Sequence, residues 1–591
     1  MKKIILSFLT SLSICSIISA QSVDDGRKFL YFERYTSATQ VFQKLVASNP
    51  KDPNAVYWLG QTYIADDKLD SAKSLYQSTI SAGVNEPLLW IGAAEVDVLQ
   101  GGDVNAAKQK FEQAITTTTA TKGKHKGEPD PNILNAIGRA MAAGSSQQGD
   151  ANYGVDKLKQ AAQLNPQDPD IYINLGLCYR KLGGDQGGQA FEAFRQATTI
   201  NPQYARGFYL IGRIYQTQRN KESMDEWYGK AIAADPTFAP VYLQYFLFYS
   251  EKDVTTAKEY LDKYVANADK DCNTDYFVGN YLLRAGKYQE SIAKAKEMEA
   301  GACKNYPRVN VLYAYDYDRL GDSVQARTYI QKYLSMADSS DIQPPDYAFA
   351  GTVFAKFPET GDSAIKYLTI AVKKDTVKEE QSEFLNTAAT IAAKSGNYKV
   401  ILDLLRTRES LSGKLSETEY FNLAKNITDA VTAMKDSSGA APAFDSVRYM
   451  YGDSVLQAYA TAYSDKPQPY SFRTRFAKLS DVDSTRGLAI SPIAAQNKFL
   501  TTDTAASNKK TMFANYYYLL IYYAQYAKDL PKEQEYQKAI DMTNEMKTIY
   551  TDPSSEEYQF ADKTGKQLQG SLDKYNKSKS SGGTSSGKTQ K

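Results

Sequence analysis

Histidine is almost missing from this 591-residue sequence, which has His125 and no other. One histidine cannot supply a histidine-based metal cluster. A Ser–His–Asp relay would need the loop "TKGKHKGEP" ordered against a nucleophile for which no motif exists. Charge of one sign is lacking too: 70 Lys and Arg face 68 Asp and Glu, for a net +2. A balanced chain without a basic face argues against nucleic acid as the partner. Carboxylates are plentiful, yet no pair stands apart as an acid–base couple. The tail string "GTSSGKT" formally fits a phosphate loop through Gly582, Gly587, Lys588 and Thr589. That loop works between a strand and a helix, and no strand precedes it. These absences lead us to expect no catalytic residue, no metal, no cofactor and no enzyme activity.

What is abundant is tyrosine, at 45 residues against 23 Phe and 3 Trp. Tyrosine combines a large apolar body with a polar tip, which suits a helical protein with much half-exposed surface. The first residues, "MKKIILSFLTSLSICSIISAQS", show Lys2 and Lys3, an apolar run from Ile4 to Ile18, and small residues at Ser19 and Ala20. This reads as a secretory signal peptide over residues 1–20, cleaved between Ala20 and Gln21, and predicts a periplasmic protein. The run is short for a membrane anchor, and Ile14 is bulky for a lipoprotein signal at Cys15. The apolar string "NYYYLLIYYAQY" is likewise too short for a span, so no transmembrane segment is expected after the leader is removed. Export permits disulfides. Cys272 and Cys303 stand 31 residues apart at the starts of successive repeats, and a bridge between them is the expectation drawn here.

The strongest pattern is a repeat. Gly60, Tyr63, Ala72 and Tyr76 have spacings of 3, 9 and 4, and Gly212, Tyr215, Met224 and Tyr228 reproduce them. Gly176, Tyr179, Ala190, Phe194 and Ala197 form the same unit with two extra hairpin residues, and Ala231 matches Ala197. Pro50, Pro166, Pro202 and Pro236 close four units. These positions resemble the tetratricopeptide repeat, a helix–turn–helix unit of about 34 residues. With the "AQS" leader end and recurrent Asp–Ser/Thr strings such as Asp70-Ser71-Ala72 and Asp322-Ser323-Val324, the chain is similar to exported repeat proteins of the Bacteroidota, in which such strings can carry O-glycans. The bottom-up reading of the strings is helix capping.

Short helices of this length are marginal alone in water, so each must lean on its neighbours. Gly60, Gly176, Gly212, Ala72, Ala190 and Ala231 are expected to let backbones approach, with Tyr63, Tyr179, Phe194, Tyr215 and Tyr228 filling the space beside them. The resemblance implies an all-α fold, a right-handed superhelical solenoid of helix–turn–helix repeats. We expect an N-terminal array over 21–342, divergent repeats over 343–572 after the "QPPD" break, and a disordered Lys/Ser/Gly tail over 573–591. In this family the first helices line a concave groove, which here implies Tyr57, Gln61, Tyr209, Arg213, Tyr242, Phe246, Tyr249, Tyr276, Asn280, Tyr315 and Arg319. Aromatics and arginine dominate protein-binding hot spots, so the expected partner is a protein or peptide held by a non-catalytic scaffold. An envelope glycan stacked on tyrosine faces is the alternative.

Overall fold

The computed structural model describes residues 22–433, 444–502, 506–527 and 530–582. The expected signal peptide, the string "SSGAAPA" at 437–443, which reads in the sequence as a loop, and the tail from Gly583, with most of its phosphate-loop pattern, lie outside them. Among the described residues the chain forms 29 α-helices and no strand. The helices run as adjacent antiparallel pairs, and local chemistry explains where each begins. Asp52, Asp130 and Asp168 accept a backbone N–H from the residue two positions on, and a proline follows each of them at the first helical position. The aspartate satisfies a free donor, while the proline has none to satisfy. Pro50, Pro166, Pro202 and Pro236 fall in the turns that leave a second helix.

Packing within a pair follows from the small residues. The Tyr76 ring, on the helix Leu69–Ser81, lies against both Gly60 and Gly92, and a Cβ on either would overlap it. Its hydroxyl donates to the Tyr57 carbonyl at 2.9 Å. Gly176 meets Phe194 and Gly212 meets Tyr228 in the same way. Ala72, Ala190 and Ala231 are fully buried. Tyr63, Tyr179 and Tyr215 pack half-buried against the cores these residues form.

The chain divides into two compact units, Met1–Leu312 and Tyr313–Lys591. The division falls inside the helix Val309–Arg319, about 30 residues before the expected change from regular to divergent repeats at residue 342. Pro344 and Pro345 open the helix Pro344–Phe354 rather than a linker. Asp346 accepts the Gln343 N–H at 3.3 Å and the buried Tyr333 hydroxyl at 2.9 Å, so this junction is packed. Of the expected tail, residues 573–582 are described, and they are helical. The last described helix, Glu556–Gly582, continues past Leu572, with the Tyr575 ring 6.5 Å from Tyr536 and Lys579 paired to Glu533 at 3.6 Å. Leu572, Tyr575 and Lys579 share one helical face, and this face has partners.

Several Asp–Ser/Thr strings do cap helices: Asp322 accepts the Gln325 N–H and Asp445 the Arg448 N–H. Asp453 instead sits within the helix Ser446–Ala462 and holds Arg473 in a two-point pair at 2.7 and 2.8 Å. In the first unit Cys272 and Cys303 form a disulfide with Cα atoms 5.5 Å apart. Cys178 is buried with its thiol 3.5 Å from the Gly138 carbonyl, and burial pushes its pKa up to about 12.

Candidate functional site

In the first unit the opening repeat, Val23–Tyr31 and Tyr35–Ser48, meets repeats far along the chain. Lys28 pairs with Asp235 at 2.9 Å, and Phe32 packs edge-on against Phe238 with centroids 4.9 Å apart. Arg34 donates to Asp269 at 3.2 Å and the Ser37 N–H does so at 2.9 Å, with the Ser37 hydroxyl on the same carboxylate. Arg34 also takes its place over the Phe29 ring. The array therefore curls until its first repeat closes across its own inner wall.

Asp170 is the hub of that closure. It stands at the start of the helix Pro169–Leu182 and is 2% exposed. Its carboxylate accepts the Tyr31 hydroxyl at 2.6 Å, the Tyr204 hydroxyl at 2.8 Å, Arg139 at 2.6 Å and Arg27 at 3.3 Å. Arg206 lies 3.9 Å away and over the Tyr31 ring. Burial alone would raise the Asp170 pKa, but Arg139, Arg27 and Arg206, together with the Tyr31 hydroxyl, hold it well below the usual carboxylate range. Arg27 and Arg139 both sit over the Trp58 ring, at 4.7 and 4.5 Å. Three guanidiniums share one carboxylate, and the Arg206 Nη1 is buried without a hydrogen-bond partner among the described residues.

Beside this hub lies a cavity of about 330 Å³. First helices supply its wall through Trp58, Gln61, Ile64, Ala65, Glu95, Arg139, Asn174, Leu177 and Arg206, and the opening repeat covers it with Leu30, Tyr31, Glu33 and Tyr35. Glu95 is 1% exposed and accepts the Gln61 amide at 2.5 Å. Burial pushes its pKa up to about 7, against the pull of that amide and of Arg139. Glu33 is reached by solvent yet hemmed in by the wall, which raises its carboxyl pKa in spite of Arg213 and Arg206. Its backbone holds φ at 57°, the left-handed conformation for which Gly286 and Gly321 are used at later turns.

The groove residues expected from sequence divide into two sets. Tyr57 and Phe246 are 1% and 0% exposed, and Gln61, Tyr209, Tyr242 and Tyr276 are also buried. Inter-repeat packing and the closure of the wall use the surfaces of these side chains. Tyr57 receives Arg139 at 3.1 Å, and Tyr209 packs on Tyr228 and Phe238. The Tyr242 hydroxyl donates to the Pro236 carbonyl at 2.8 Å, Tyr276 receives Arg308 at 3.0 Å, and Phe246 lies edge-on to Phe277. Of the expected set, only Gln61 also lines the cavity. Arg213, Tyr249 and Asn280 stay half-exposed. In the second unit Tyr315 stacks on Phe349 at 3.6 Å, and Arg319 is exposed.

Sequence reading did not single out Asp170, Arg206, Arg139, Glu33 or Glu95. One signal was present: the slot three residues after the small residue holds Tyr63 after Gly60 and Tyr179 after Gly176, but after Gly92 it holds Glu95.

Residues 29–95 and 205–238 match the family described as tetratricopeptide repeat, and the chain carries such repeats. Among curated proteins it is similar to the BBSome complex member BBS4 of Bos taurus, 23% identical over 319 residues, which covers 48% of this chain and 59% of that protein. The chain thus spans little more than half the length of that relative. Among solved structures it is similar to a tetratricopeptide repeat protein from Parabacteroides merdae, with 18% identity, a TM-score of 0.35, and coverage of 40% of this chain and 92% of that one. It is also similar to yeast Tom70, with 13% identity, a TM-score of 0.37, and coverage of 70% and 96%.

Proposed function

From a chain built of tetratricopeptide repeats, we propose an exported, non-catalytic scaffold that holds a protein or peptide partner against its first helices. The observation that carries this reading is the accessible set left on successive first helices: Arg213 on Ala205–Thr217, Tyr249 on Ala239–Tyr249 and Asn280 on Cys272–Arg284. Arginine and tyrosine are residue types that anchor protein interfaces. The Cys272–Cys303 disulfide supports an oxidising compartment, and with the leader this favours the periplasm. No described helix is long and apolar enough to cross a membrane.

The glycan alternative has less support, because the ring faces most suited to sugar stacking have other neighbours. Trp58 carries two guanidiniums, and Trp227 carries Lys230 at 3.9 Å and Phe208. The test is capture from envelope extract through a photo-crosslinker at position 249. A protein adduct that Arg213→Ala combined with Asn280→Ala reduces at least tenfold supports the scaffold. An adduct unaffected by the pair, or one that glycan-degrading treatment removes, counts against it.

A further inference from the structure

We propose that the Cys272–Cys303 disulfide is a redox latch on the opening repeat: reducing it loosens the turn 32–34 that leans over the cavity of the first unit. Such a latch acts whatever the partner is.

The turn is held down at one acceptor. Glu33 in the turn and Tyr35 just after it line the cavity. Arg34 and Ser37 reach past them to Asp269, 235 and 232 positions further along the chain. Asp269 is buried and accepts Arg34 at 3.2 Å, the Ser37 N–H at 2.9 Å, and the Ser37 hydroxyl. Left to itself the turn favours another shape, because Glu33 holds φ at 57°, a conformation that side chains disfavour. The contacts at Asp269 keep it there.

Asp269 depends in turn on the bridge. It lies in the short connection between the helices Val254–Asn267 and Cys272–Arg284, three positions before Cys272. Cys303 falls in the turn that follows the helix Tyr288–Ala300, so the disulfide pins the start of Cys272–Arg284 to the next loop. Local bonds carry that constraint back. The Asp271 carboxylate accepts the Thr274 N–H at 2.9 Å, and the Thr274 hydroxyl donates to the Asp269 carbonyl at 2.7 Å. With the sulfurs apart, the Tyr306 hydroxyl on the exposed Asn273, at 2.6 Å, remains between the two loops. One hydrogen bond at an exposed site is a far weaker tie than a covalent bond.

The two sulfurs differ in access, since Cys303 is buried and Cys272 half-exposed. A dithiol reductant therefore attacks the Cys272 Sγ with one thiolate, and Cys303 departs and takes up a proton. The second thiol of the reductant then displaces Cys272 from the mixed disulfide. The protein gains two electrons and two protons, its S–S bond becomes two thiols, and the reductant leaves as its own disulfide. Arg27 and Tyr31 stay on Asp170 throughout, so the opening repeat loosens at its turn and remains attached by its first helix.

The experiment uses the chain from Gln21 onward, oxidised or treated with dithiothreitol, read by amide hydrogen exchange well below the melting temperature. Expected is exchange about tenfold faster over residues 32–37, where the Ser37 N–H reports the Asp269 contact directly. Residues 24–30 and the remote helix Pro131–Ala142 should change little. Cys272→Ser combined with Cys303→Ser should reproduce this pattern without reductant. Coupling of this kind is reciprocal, so Arg34→Ala with Ser37→Ala should shift the disulfide–dithiol equilibrium toward the thiols by about fivefold. Thiol labelling in graded dithiothreitol buffers reads that shift. Lys108→Ala, which breaks an ion pair with Asp150 in the same unit, should leave the equilibrium where it was. Unchanged exchange over the turn on reduction would overturn the inference. So would acceleration spread evenly over the unit, or an equilibrium indifferent to the Arg34 and Ser37 changes.

Discussion

The Tyr31 hydroxyl donates to the Asp170 carboxylate at 2.6 Å and so ties the opening repeat to a helix 139 residues further along the chain. The same carboxylate offsets Arg27, Arg139 and Arg206. Asp170→Asn keeps the shape and removes the charge, leaving three guanidiniums without their shared anion. The expected cost is about 3 kcal/mol or more, because one partner of a buried charge cluster is lost. Amide hydrogen exchange should then speed up in Val23–Tyr31 before it does so elsewhere in the first unit. A uniform loss across the unit would show that Asp170 does not hold the closure. The sign of its pH dependence follows from its lowered pKa. Its contribution is complete above the ordinary aspartate value, near pH 4, and is lost as pH falls toward the lowered one.

Glu95 acts in the opposite direction. Its pKa in the folded protein is about 7, above the ordinary 4.5, so the folded state keeps a proton that the unfolded state releases. Stability is therefore fully present below about pH 4.5, falls as pH rises toward 7, and is flat beyond. The loss amounts to about 3 kcal/mol. Glu95→Gln should match the parent protein at pH 5 and melt higher at pH 8. Parallel melting curves across that range would assign the slope to another group.

The Cys272–Cys303 bridge closes a loop of 31 residues, for which the chain-entropy account gives about 3–4 kcal/mol. Replacing both cysteines with serine should lower the melting temperature of the first unit by several degrees. In protein denatured without reductant, Cys272 and Cys303 should resist alkylation while Cys178 reacts. Labelling of all three would remove the bridge.

Gly212 touches the Tyr228 ring where a Cβ would stand. Gly212→Leu should therefore destabilise by about 1–3 kcal/mol or more through overpacking. Gly229→Ala, on the same repeat but in open space, should cost little and can even stabilise through helix propensity. Equal effects from the two changes would contradict the packing assigned to the repeat.

The helix pairs were legible in the sequence because each depends on local spacing: Gly60 and Tyr76, or Gly176 and Phe194, identify one another within a single unit. Burial on the inner wall was not legible, because it depends on how far the array curls. Tyr57 and Phe246 sit at positions that face the groove in an open array, and here they are packed away. Asp170 could be read only as a first-turn acid beside Asp168, since nothing near it announces Tyr31 or Arg27. Glu95 was the exception, visible as a charged residue in an aromatic slot. The "QPPD" string is locally ambiguous, because its prolines satisfy a helix start, as they do at Pro344–Phe354, as readily as they break one.

Most repeat arrays behave like a stack of plates, each unit touching the next and removable from an end with a proportionate loss. The first unit here is more like a clasped bracelet. Its opening residues find their places on Asp235 and Asp269, so a chain emerging from a ribosome cannot finish this unit until some 270 residues are out. Deleting the first repeat would uncover Trp58, Asp170 and Phe238, against which it packs. For the same reason a fusion partner placed directly ahead of Ser22 would sit at the clasp, and the C-terminal end is the place to attach one.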